Sequence, residues 1–122
     1  MTLTQYIVAA QSKRYRPGVH DCGQFVGGWV EIRTGHNPAS EWSYKSLEDF
    51  DAQMAENGFD GLGDVVAAVL EEIPPHAARS GDVALVDGEA LGLVSAENVH
   101  VLRPRGLGVV PLSRATRAYR VN

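Results

Sequence analysis

A single cysteine in 122 residues, Cys22, excludes an internal disulfide and a multi-cysteine zinc site. Three readings remain for it: buried filler, reactive thiol or nucleophile. No apolar run approaches the roughly 20 residues that cross a bilayer. The opening Met1-Thr2-Leu3-Thr4-Gln5-Tyr6-Ile7-Val8 lacks the basic stretch and long apolar run of a secretory leader. Aromatic residues are only 7% of the chain and the net charge is -4. Without aromatics interleaved among its arginines, an acidic chain argues against nucleic acid as a partner. There is no repeat, linker or low-complexity tract. A chain of this length buries roughly two-thirds of its unfolded surface, so one domain over 1–122 is expected, with no metal or cofactor needed to hold it.

The charge that is present is segregated. Thirteen of the 15 acids lie between Glu41 and Glu97, opposed only by Lys45 and Arg79, which leaves that stretch at -11. Residues 98–122 carry +5, from Arg103, Arg105, Arg114, Arg117 and Arg120. The plain reading is solvated faces. The sharper one is a surface of two signs that fixes the orientation of a docked protein.

Periodicity divides the chain into a helical half and a stranded half. Thr2-x-x-Gln5 is a capping box ahead of Leu3, Tyr6, Ile7 and Ala10. Asp21 is a helix cap before Cys22, Phe25, Val26, Trp29 and Val30, and Thr34-Gly35 is the stop. Gly27-Gly28 inside that helix implies close approach by another backbone. Residues 35–45 have no period and read as a loop, on which Trp42 and Tyr44 are the expected exposed aromatics and interface residues. Ser46 opens a third helix. Leu62, Val65, Val66, Val69, Leu70 and Ile73 then mark a fourth as core, up to Pro74-Pro75. Five short strands follow, at 83–86, 91–94, 99–102, 107–110 and 118–121. The class is α+β: amino-terminal helices on a small antiparallel sheet or half-barrel.

Cys22 stands at the first position of a capped helix, where free backbone donors and the helix dipole favour the thiolate. The pattern Asp21-Cys22-Gly23-Gln24-Phe25-Val26, then helices, then Ser80-Gly81-Asp82-Val83-Ala84-Leu85 opening a sheet, resembles the NlpC-type branch of the papain-like cysteine peptidases. With Thr34-Gly35-His36-Asn37-Pro38, Ala90-Leu91-Gly92-Leu93 and the closing Gly-Leu and Val-Pro-Leu, the chain more closely resembles a phage tail-tip family of unknown function with that fold. The resemblance implies Cys22 as nucleophile. It also puts Ala90 where active peptidases have the histidine base, and His100 where they have the residue that orients it. His100 is therefore expected near Cys22, beyond hydrogen-bond reach, with Ala90 facing the gap.

Of the other histidines, His20, His36 and His76 read as surface residues. His20, Cys22 and His100 are zinc-type donors without paired spacing, so no metal is assigned. The resemblance implies a structural component of a phage or phage-like tail tip, carried in the virion tail and made in the host cytoplasm. It would bind other tail-tip and hub proteins through Trp42, Tyr44, Arg103, Arg105 and Arg117. The alternatives are an active cysteine peptidase or amidase that cuts peptidoglycan, and a stand-alone cellular thiol hydrolase or redox sensor.

Overall fold

The computed structural model describes residues 1–121. Helix α1 spans Leu3–Gln11, and its capping box forms as the sequence implies: Thr2 Oγ1 accepts from the Gln5 N–H while the Gln5 side chain accepts from the Thr2 N–H. Helix α2 spans Cys22–Thr34 and ends on Gly35, whose left-handed backbone closes the helix. Helix α3 spans Leu47–Glu56 behind the Ser46 cap.

Helix α4 is shorter than its apolar spacing suggests. It covers Leu62–Ala67, and Glu71–Ile73 form strand β1 instead of a further turn. Of the six apolar positions expected as core there, only Val66 is buried, and Val69 is 47% exposed. A short apolar run does not distinguish helix from strand. Here pairing decides, because Glu71, Glu72 and Ile73 lie opposite Arg120, Tyr119 and Ala118.

The remaining strands are β2 (Val83–Val86), β3 (Ala90–Ser95), β4 (Asn98–Arg103), β5 (Gly106–Pro111) and β6 (Ala115–Arg120). They form one antiparallel sheet in the order β1-β6-β2-β3-β4-β5. β1 and β5 are its two edges, so the sheet is open.

Alternation along the strands gives the sheet two apolar faces. On one, Val83, Leu85, Leu91, Leu93, Leu102 and Tyr119 pack with Ile7, Phe25, Val26, Trp29 and Val30 of the helices. On the other, Ala84, Val86, Val94, Val99 and Val101 form a second cluster closed by Ala78, just after one short 3-10 turn, and Leu112, which begins another. The close approach expected at Gly27-Gly28 is present, but side chains make it. A Cβ on Gly27 would stand 2.7 Å from the Ala39 Cβ, and one on Gly28 2.4 Å from the Tyr6 hydroxyl.

Candidate functional site

Cys22 is the first residue of α2, and α2 lies across β3 and β4. Asp21 sets that position. Its Oδ1 accepts from the Gln24 N–H at 2.9 Å, and its Oδ2 accepts from the Gly18 N–H at 2.9 Å and the Tyr44 hydroxyl at 2.5 Å. The carboxylate is 2% exposed, so these donors replace water around it. Burial first, then the hydrogen bond to Asp21, pushes the Tyr44 hydroxyl pKa up. The loop that delivers Tyr44 passes so close that a Cβ on Gly18 would stand 2.0 Å from the Tyr44 carbonyl oxygen.

Cys22 is partly buried, with its thiol packed against the helix-side cluster. Burial pushes its pKa up, and the Asp21 charge adds to that. The amides of Leu91, Gly23 and Cys22 itself act in the opposite direction. At this helix start desolvation outweighs the backbone donors, so the thiolate expected from position alone is not favoured.

The two histidines nearest in sequence logic do not complete a catalytic pair. His20 is 8% exposed rather than on the surface, and its Nε2 lies 3.3 Å from the Ala10 carbonyl. Burial pushes its pKa down. His100 lies on β4 opposite Leu93, on the helix side of the sheet. Its Nδ1 is buried without a hydrogen-bond partner, and burial alone lowers its pKa. Among the described residues, no hydrogen bond or charge interaction joins either ring to Cys22.

Ala90 does not face the gap. It packs against the second cluster on the far side of the sheet, and the next residue, Leu91, is the one that meets the Cys22 sulfur. Period-two alternation is the reason, since neighbours on a strand cannot share a face.

Beside Cys22, an apolar cleft of about 50 Å³ is lined by Gly23, Val26, Trp42, Tyr44, Leu62 and Leu91. Small-molecule pockets begin near about 300 Å³, so this space admits one small apolar group. Trp42 is half-buried against Phe50 and Phe59, and Tyr44, 9% exposed, is core rather than an exposed contact residue.

The carboxy-terminal arginines divide similarly. Arg117 pairs with Asp64 at 2.9 Å and Glu72 at 2.7 Å, and Arg114 pairs with Asp87. Arg120 Nε lies 3.2 Å from Asp82 without being directed at it as a hydrogen bond. Arg103 and Arg105 are exposed and form no ion pair among the described residues. Of the residues assigned to an interface, Trp42, Arg103 and Arg105 retain accessible surface, Tyr44 is buried, and Arg117, though partly exposed, is held in ion pairs with Asp64 and Glu72.

Two further residues of the strand opening are structural. Trp29 Nε1 donates to the Gly81 carbonyl at 2.9 Å, and the Asp82 carboxylate accepts from the Arg79 and Val121 N–H groups. The dipeptide Gly81-Asp82 therefore ties β2 to α2 and to the end of β6. Among the described residues, no three His, Cys, Asp or Glu side chains converge as metal ligands.

The family model of DUF6950, a domain of unknown function, matches residues 1–121, and the chain belongs to that family. No curated protein matches it.

Proposed function

We propose that the chain is a structural component of a phage or phage-like tail tip, in which a papain-like, NlpC-type scaffold has become a protein-binding module. The observation that carries this reading is the surroundings of Cys22: the Leu91 backbone amide lies against the sulfur, burial raises the thiol pKa, and among the described residues no imidazole is joined to it. Triad members act as a unit, so a thiol without a base retains little of the rate. The order of the Asp-Cys, Thr-Gly, Gly-Asp and Ala-Leu-Gly-Leu motifs supports the tail-tip context. Trp42, Arg103 and Arg105 are the contact residues this reading assigns to neighbouring tail or hub proteins.

Particles carrying Cys22→Ser provide the test. They are expected to assemble and infect near normally, whereas Trp42→Ala combined with Arg103→Glu and Arg105→Glu reduces incorporation. If Cys22→Ser particles assemble but fail to cross the cell wall, and the purified wild-type protein releases peptides from peptidoglycan, the hydrolase reading replaces this one.

A further inference from the structure

Among the described residues, the outer edge of β5 has no strand beside it, and the register determines which groups it presents. The Arg103↔Gly106 pair closes a two-residue turn, so it exchanges both main-chain hydrogen bonds, and every second pair does the same. Val101↔Gly108 and Val99↔Val110 follow, and one step further the Leu112 N–H donates to the Glu97 carbonyl at 2.8 Å. Gly106, Gly108 and Val110 thus spend their polar groups on β4. Leu107 and Val109 direct an N–H and a C=O outward, and Pro111 directs a C=O alone.

The edge is guarded only at its carboxy-terminal end, by Pro111, and α1 contacts β5 from the helix side rather than along the edge's polar groups. Gly106 to Pro111 contain no charged side chain, and Val109 is 57% exposed. The opposite edge differs, since β1 is three residues long and bears Glu71 and Glu72.

We propose that β5 pairs antiparallel with β5 of a second copy of this chain, about a two-fold axis at Gly108. With Gly108 opposite Gly108, Leu107 of one copy faces Val109 of the other. The outward N–H and C=O groups of these two residues then all find partners, and Pro111, lacking an N–H, ends the ladder. Leu107 and Val109 lie on the helix side, so the same register covers the exposed Val109 with Leu107 of the second copy. Gly108 places no side chain at the axis.

Charge fits the same arrangement. The Arg103-Pro104-Arg105 tip is at one end of β5 and Glu97 at the other. All three are exposed; Arg105 and Glu97 are in no ion pair among the described residues, while Arg103 acts on Asp87 of its own chain. Antiparallel pairing brings each basic tip to the acidic end of the other copy, which favours a second copy over an unrelated strand. This assembly does not depend on the tail-tip reading.

Sedimentation velocity over a concentration series tests it. The wild-type chain is expected to show a monomer–dimer equilibrium that weakens with salt. Val109→Lys adds an edge charge, and Val109→Pro removes only an outward N–H, so both should keep the wild-type circular dichroism and melting curve. Each should weaken the dimer by at least about tenfold. Arg105→Glu should weaken it too, and Arg105→Glu with Glu97→Arg should restore it. A chain that stays monomeric up to about 1 mM, the weak limit of association, overturns the proposal. So does a dimer indifferent to Val109→Lys, or a monomer whose β5 pairs only with a strand of another protein.

Discussion

Asp21 connects three parts of the chain that the sequence separates: the turn at Gly18, the start of α2 and Tyr44. Replacing it with Ala leaves a buried tyrosine hydroxyl and two N–H groups without their acceptor. About 3 kcal/mol of stability should be lost, from a cap worth about 1 kcal/mol and the remainder from unsatisfied buried groups. Urea titration of Asp21→Ala against Tyr44→Phe measures this, and the phenylalanine variant should lose less because Asp21 keeps its backbone donors. The cap was legible from Asp21-x-x-Gln24. The bond to Tyr44 was not, because a lone tyrosine in an aperiodic stretch gives no indication of what it meets. Gly28→Ala should cost about 1–3 kcal/mol, since its Cβ falls 2.4 Å from the Tyr6 hydroxyl, which donates to the Phe25 carbonyl. Equal stability of the alanine variant would contradict that packing.

At the scale of elements, the strands from β2 to β5 were readable because Gly or Pro punctuates them, whereas β6, expected at 118–121, runs Ala115–Arg120 because pairing with β2 begins at Ala115. The α4–β1 segment was not readable, because its apolar spacing suits a helix while its pairing partner lies about fifty residues away in β6. Arg117 shows why the strand wins locally. It spans from β6 to Glu72 on β1 and Asp64 on α4, and holds the Glu72 carboxyl below its usual range. The three side chains are substantially exposed, so Arg117→Ala should cost only about 0.5–1 kcal/mol, and less in high salt. A larger loss, unaffected by salt, would mean that the guanidinium acts through packing on Tyr119 instead. The site was legible in part for the same reasons. Cys22 at a helix start follows from the cap, but the orientation of Ala90 and Leu91 depends on strand phase, and a family motif alone does not fix it.

For the molecule as a whole, His20, which is buried, and His100, which is partly buried, set a pH dependence. Burial lowers the pKa of both His20 and His100 from the ordinary 6.5, so the unfolded chain binds protons before the folded one does. Their neutral forms support the fold above about pH 6.5, and that support is lost as pH falls below it. Between pH 7.5 and 5.5 the melting temperature should drop, and His20→Gln should flatten the slope. A melting temperature that rises on acidification would reverse the assignment. The central claim is that this scaffold presents a thiol without a base. Its most direct measurement is the rate of Cys22 alkylation against pH. One titration is expected, with its midpoint above the ordinary 9.0 and unchanged by His100→Gln. A thiolate that reacts at full rate near neutral pH and loses that reactivity in His100→Gln would contradict it.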